Sequence, residues 1–327
     1  MRGAKRVRTS GALLMAFGLA LAAACGDGGG GGDATDGGDA VFGQRDGDDG
    51  DTSVPSDTTT PGDTLAADTA PPDSASPDTV TGPSPVGVGV IIGEIDSEYV
   101  NVAFAAARFT RTEPPPDTSG TVYGPCRVTV VDPNASDNSY GLDAGTVTVS
   151  NTTPAVTLSA VSEGVFGTGY RSSLPDDQRD LLPGGGAIVL VAGAGGADIG
   201  AFSGAFQMPE PVSIALPQTG LTAEADPSKA LTVIWNAGTG VNVLVSLSPV
   251  SASGQPVAGK GVLCLVAGDP GQVTVPSEAL TALITGSSAA TMALAVTRTK
   301  TGSVSNATHK IPLTATRSSA GPITLRY

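Results

Sequence analysis

The chain is 327 residues long, has a net charge of −14 and is only 4% aromatic. No basic patch with interleaved aromatics appears, which excludes the usual nucleic-acid surfaces, and the single histidine, His309, excludes multi-histidine metal centres. The length suits one or two domains.

The chain opens on Arg2, Lys5, Arg6 and Arg8 with no acid, followed by a 14-residue apolar run from Gly11 to Ala24 and then Cys25. A basic start before an apolar core is the pattern of an export signal. The run is too short to cross a bilayer as a helix, which takes roughly 20 apolar residues. Small residues Ala22, Ala23 and Ala24 stand directly before Cys25.

On these residues the N-terminus resembles a bacterial lipoprotein signal peptide of the Gram-negative type, over about 25 of the 327 residues. The family places an aliphatic residue three positions before the cysteine; here Ala22 takes that place and Leu21 lies one earlier. The resemblance implies cleavage between Ala24 and Cys25, a diacylglyceryl group on the Cys25 thiol, and acylation of the new amine with a fatty acid such as palmitate. Two or more chains hold a protein firmly, at about 0.8 kcal/mol per buried methylene. In the family an Asp directly after the cysteine signals inner-membrane retention. Gly26 holds that position here, with Asp27 after it, so the resemblance points to the outer membrane. The other reading of Ala22-Ala23-Ala24 is an ordinary cleavage site with Cys25 an incidental thiol.

Residues 25–85 follow as a tether. From 26 to 85 there are 13 aspartates and one arginine among Gly, Thr, Pro, Ser and Ala, with only isolated large apolar residues. Such a segment buries too little surface to offset chain entropy and is expected to be disordered. It spans on the order of 40–45 Å as a flexible chain. Asp46-Gly-Asp48-Asp49-Gly-Asp51 fails the EF-hand spacing, and no Glu follows.

From residue 86 the pattern becomes all-β, with 18 acids and 12 bases. Short runs of Val, Ile, Thr, Ala and Phe recur between Gly, Pro, Asn and Asp. Strands are expected at 87–95, 99–109, 121–131, 145–149, 155–161, 187–192, 201–207, 212–216, 230–236, 241–247, 261–267, 272–275, 291–299 and 310–316. One short helix is expected at 278–284, with Ser277 as its cap. Many short strands argue one or two tandem β-sandwich domains. Gln207-Met-Pro-Glu-Pro211 reads as a break, giving stretches 86–208 and 209–327. In the second, Leu231-Thr-Val-Ile-Trp235 followed by Val241-Asn-Val-Leu-Val-Ser-Leu-Ser resembles neighbouring strands of fibronectin-III or immunoglobulin-like modules over about 20 residues. That implies Trp235 in a sandwich core; a ligand-stacking platform is the competing reading.

Cys126 and Cys264 sit in strand-like runs, one in each stretch. In an oxidising compartment they are a candidate disulfide. Two separate buried thiols are the alternative, since pairing is not read from sequence. The acid-rich run Asp132, Asn134, Asp137, Asn138 and Asp143 offers oxygen ligands for Ca²⁺, and Asp176, Asp177 and Asp180 form a second such run; both are also ordinary turn chemistry. His309 stands at the start of a late strand, without a Gly-x-Ser-x-Gly elbow in the chain, and reads as an edge-strand residue. Gly87-Val-Gly89, Gly184-Gly-Gly186 and Gly193-Ala-Gly-Gly196 lack dinucleotide or phosphate-loop spacing.

These readings favour a non-enzymatic protein without a cofactor, anchored in the cell envelope by lipid on Cys25, with a structural or protein-interaction role toward an unidentified envelope protein or glycan. A glycan- or Ca²⁺-binding β-sandwich is the second reading. A hydrolase using His309 or a loop carboxylate is the third.

Overall fold

The computed structural model describes residues 83–97, 101–111, 119–133, 139–175, 178–182, 187–220, 222–239, 241–251, 253–284 and 289–327, without the side chains of Asn101 and Ala289. The leader, Cys25 and the tether as far as residue 82 lie outside the described residues.

Strands dominate, and the described residues hold one short α-helix. In chain order the strands begin with β1 (Ser84–Pro85), β2 (Gly87–Ser97), β3 (Asn101–Thr110), β4 (Thr121–Tyr123), β5 (Cys126–Val131) and β6 (Val147–Ser150). Next come β7 (Val156–Ser162), β8 (Thr168–Ser172), β9 (Ile188–Gly193), β10 (Phe202–Gln207), β11 (Ile214–Leu216) and β12 (Glu224–Ala225). Then follow β13 (Leu231–Trp235), β14 (Asn242–Pro249), β15 (Gly259–Val266), β16 (Gln272–Val275), the helix α1 (Ser277–Leu283), β17 (Ala289–Ser305) and β18 (His309–Arg326).

A ten-stranded sheet runs β3-β2-β18-β17-β14-β15-β5-β4, with β1 and β12 added along β18. Its spine is the β17–β18 hairpin, paired without a break from Ala289↔Arg326 to Ser305↔Lys310. β2 lies parallel to β18, with Leu313 opposite Val90 and Arg317 opposite Glu94. A five-stranded sheet, β10-β9-β6-β7-β8, and a three-stranded sheet, β11-β13-β16, are separate from it.

Because side chains alternate across a strand, the hairpin turns Met292, Leu294, Val296, Arg298, Lys300, Gly302 and Val304 to one face. Their cross-strand partners are the odd-numbered residues of β18. This single face serves two hydrophobic clusters. Leu294, Val296, Ile323 and Leu325 join Val233, Trp235, Val245 and Leu280 in one. Ile311, Leu313 and Ala315 join Phe109, Val147, Leu158 and Phe202 in the other, with Val304 packed against it. The stretches 86–208 and 209–327 thereby lend each other strands: the Cys126–Val131 strand supplies Cys126 and Val128 to the second cluster, and the end of the hairpin supplies Ile311 to the first. The chain passes from one cluster to the other between Met208 and Val212, both buried.

Sheets approach closely where the hairpin has no side chain. The Phe206 ring lies 2.7 Å from where a Cβ on Gly302 would stand, and Val304 Cγ1 lies 2.0 Å from that of Gly204. A larger residue at either place would push β10 off β17.

Three sequence expectations change. The run 121–131 is a hairpin, not one strand, because Gly124 takes a φ of +57° between β4 and β5. The runs 291–299 and 310–316 are only the leading parts of far longer strands; polar alternation and Gly321-Pro322 hide the rest. Ser277 is not the helix cap. Pro276, with φ −61° and ψ 147°, takes that place, and the Ser277 hydroxyl donates to Glu278 Oε2 at 3.3 Å. Proline suits a helix start because its missing N–H would have had no partner there.

Candidate functional site

Charged side chains gather in two places. The first is the boundary between the two clusters, where Arg298 and Arg317 stand directly opposite each other on the hairpin. Like charges in that position destabilise a sheet unless they are neutralised, and each arginine has its own carboxylate. Arg298 and Asp269 are both 0% exposed, with Arg298 Nε donating to Asp269 Oδ2 at 2.6 Å. The other Asp269 oxygen accepts the Trp235 indole N–H at 2.5 Å. Arg298 Nη1 donates to the carbonyls of Glu210 and Pro211, and Nη2 to that of Asn236. The guanidinium thus ties β17 to the segment around Pro211 and to the loops after β13 and β15.

Arg317 faces the first cluster. Its Nε lies 3.5 Å from Glu94 Oε2, and its Nη2 donates to the Leu182 carbonyl at 3.4 Å. Glu94 Oε1 accepts the Leu182 N–H at 2.5 Å. Burial pushes the Glu94 carboxyl above the ordinary glutamate value and Asp180 adds to this, against the opposing pull of the Leu182 hydrogen bond and the Arg317 charge. These groups are positioned to hold structure: Arg298 spends its guanidinium on Asp269 and backbone carbonyls, and Arg317 lies between Glu94 and the Leu182 carbonyl.

The second place is a groove of about 290 Å³ lined by Ser84, Thr110, Arg111, Leu142, Asp198 and His309, among others. Small-molecule sites run from roughly 300 to 1,000 Å³, so the groove is at or below the small end. His309 is not on an edge strand. It begins β18, an internal strand, where β1 runs alongside and pairs Ser84 with it. Its Nδ1 is hydrogen-bonded to Thr308 Oγ1 at 2.8 Å. Asp198 Oδ2 accepts the Asp143 N–H at 2.9 Å. Serine, histidine and aspartate thus share a groove, while the histidine and the aspartate are each bound to a local neighbour.

Of the residues read as Ca²⁺ ligands, Asn134, Asp137 and Asn138 lie outside the described residues. Asp132 is exposed. Asp143 accepts the N–H of Gly145 at 2.7 Å, a local turn bond, and that of Ala197 at 3.2 Å, which ties it to the loop after β9. Among the described residues no three His, Cys, Asp or Glu side chains group as a metal site would need. In the second acidic run only Asp180 is described. Cys126 and Cys264 are opposite one another on β5 and β15 and form a disulfide. Trp235 is buried in the second cluster. No helix among the described residues is long and apolar enough to cross a membrane.

Sequence reading missed the two arginines and Glu94. Arg298 sits in Ala295-Val-Thr-Arg-Thr-Lys-Thr, at the end of the strand expected at 291–299. The only signal was an arginine on the same alternating face as Leu294 and Val296.

No protein-family model matches the chain, and neither a curated protein nor a solved structure matches it.

Proposed function

We propose that the chain is a lipid-anchored protein of the cell envelope, placed in the outer membrane, whose β-rich body serves a structural or protein-interaction role without catalysis. The observation that carries this reading is the N-terminal pattern: four basic residues, an apolar run of 14, three alanines and Cys25, followed at once by an aspartate-rich stretch. The Cys126–Cys264 bond agrees with an oxidising compartment. The small groove and the structural use of the buried charges favour contact through surfaces over turnover of a small substrate.

On this reading the body is a pair of β-sandwich halves sharing one large sheet, and the second half, around Trp235, is the more immunoglobulin-like. A glycan- or Ca²⁺-binding module is the alternative use of the same scaffold.

The test is the intact mass of the membrane-extracted mature protein beside that of Cys25→Ala. Residues 25–327 plus diacylglyceryl and acyl groups, lost in the variant, is the expected result. An unmodified mass starting at or near Cys25 would sink the anchor and leave a soluble exported protein.

A further inference from the structure

The described surface carries an apolar tip. Val165 is 86% exposed, Tyr140 51% and Phe166 45%. Gly164–Phe166 is a single 3₁₀ turn between β7 and β8. Gly141 N–H donates to the Phe166 carbonyl at 2.8 Å, Thr168 N–H to Gly141 at 2.9 Å, and Glu163 N–H to Gly167 at 2.8 Å. Tyr140 lies against the turn, its Cζ 3.0 Å from where a Cβ on Gly167 would stand. At the base, Arg108 donates to the Ser139 carbonyl at 2.6 Å and lies 3.6 Å from Glu163. The tip is therefore held by its own backbone bonds while its large side chains face outward.

The chain joins the body at the same end. Ser84 lines one groove with Thr110 and Leu142. Thr110 is bridged to Gly141, and Gly141 to Gly167. The segment that leads back to Cys25 thus meets the body beside the tip.

We propose that Tyr140, Val165 and Phe166 form a lipid-contacting surface that enters the headgroup region of the bilayer holding Cys25. This rests on the anchor reading above. Residues 25–82 join Cys25 to this end of the body, so this is the end that the anchor draws toward the lipid. Apolar side chains on a hydrogen-bonded turn fit an interface, since the backbone brings few unpaired polar groups with it. Tyrosine places a ring among acyl chains and a hydroxyl in water. Exposed Arg111 on the adjoining groove supplies a cation for a headgroup phosphate, beside Asp198 in the same groove and half-exposed Glu163 at the start of the turn. A protein partner is disfavoured by size, because a stable interface covers about 800 Å² on each side, far more than three side chains on two adjacent turns.

The test uses the mature unlipidated chain, linked through its Cys25 thiol to a maleimide lipid in phosphatidylethanolamine–phosphatidylglycerol vesicles with brominated acyl chains. Val165→Trp, and separately Tyr140→Trp, place a reporter on the tip, while buried Trp235 is an internal reference. The introduced tryptophan should shift to the blue and be quenched about twofold by bromine, as expected for a ring at the acyl boundary. Val257→Trp, an exposed site between β14 and β15, should stay unquenched. Equal, low quenching at all three sites would overturn the proposal, as would a blue shift that appears without vesicles, which marks self-association. Because the link is chemical, the outcome is independent of whether the cell lipidates Cys25; intact mass reads that separately.

Discussion

Arg298 and Arg317 face each other across the β17–β18 hairpin, two like charges in direct register, and each is neutralised by a carboxylate from a different part of the chain. Asp269 reaches Arg298 from the loop after β15, and Glu94 reaches Arg317 from β2. The pair marks the boundary between the two hydrophobic clusters. It allows one continuous hairpin to serve both.

Removing one partner of the buried pair leaves a buried charge without compensation. Asp269→Ala should cost about 3–5 kcal/mol, because Arg298 and the Trp235 indole both lose their acceptor. The double change Asp269→Leu with Arg298→Met should cost clearly less than the two single changes together. Urea unfolding of the four chains gives the comparison, and additive costs would show that the pair is not coupled.

Glu94 sets a pH dependence. Its carboxyl is raised chiefly by burial, so the native state keeps the proton to higher pH than the unfolded state. Between those two values the native state binds more protons, and stability falls as pH rises. The contribution is whole below the unfolded value near 4.5 and is lost as pH climbs through the raised native value. Glu94→Gln should flatten this part of the stability–pH curve, as read by urea midpoints across the mildly acidic range. An unchanged slope would place the dependence elsewhere.

Tyr170 does the same at the alkaline end. Its ring packs edge-on against Phe109 at 5.2 Å, and its hydroxyl accepts the Ala144 N–H at 2.7 Å. Burial first, and then the carboxylates Asp143 and Asp198, push its pKa up to about 12 against the pull of that hydrogen bond. Stability should be whole below pH 10 and fall as pH rises from there toward 12. Tyr170→Phe should remove this alkaline loss at a cost of about 1 kcal/mol at neutral pH, from the unpaired Ala144 N–H. Phenolate absorbance during alkaline titration should show one late-ionising tyrosine that the variant lacks.

The disulfide joins residues 138 apart in sequence. A loop of that size gives about 5 kcal/mol by the chain-entropy argument. Cys126→Ala with Cys264→Ala should lower the urea midpoint accordingly, and reductant should shift the unfolding of the native chain but not of the variant. Both sulfurs are buried in the second cluster, so reduction should require denaturant; rapid reduction of the folded protein would contradict that burial.

Local pattern alone determined a good deal. The polarity of the first 25 residues, the barren composition of the tether and the β character from residue 86 onward are all properties of neighbours in sequence. So is the helix near residue 280, to within one residue at its start, because an acid-led apolar run after Pro276 needs no distant partner. Trp235 was legible as core for the same reason, lying in Leu-Thr-Val-Ile-Trp.

Tertiary structure decided what depends on residues far apart. Gly321-Pro322 reads as a turn, yet it lies inside β18, paired with Leu294 and Ala293, because the hairpin's remaining pairs hold the backbone extended. Cys126 could be matched to Cys264 only once β5 lay beside β15. Arg298 lay unremarked within the expected strand 291–299; its role came only from Asp269, Glu210, Pro211 and Asn236 closing around it. Burial of a charge is set by which distant groups surround it, and alternation within one strand carries no record of them.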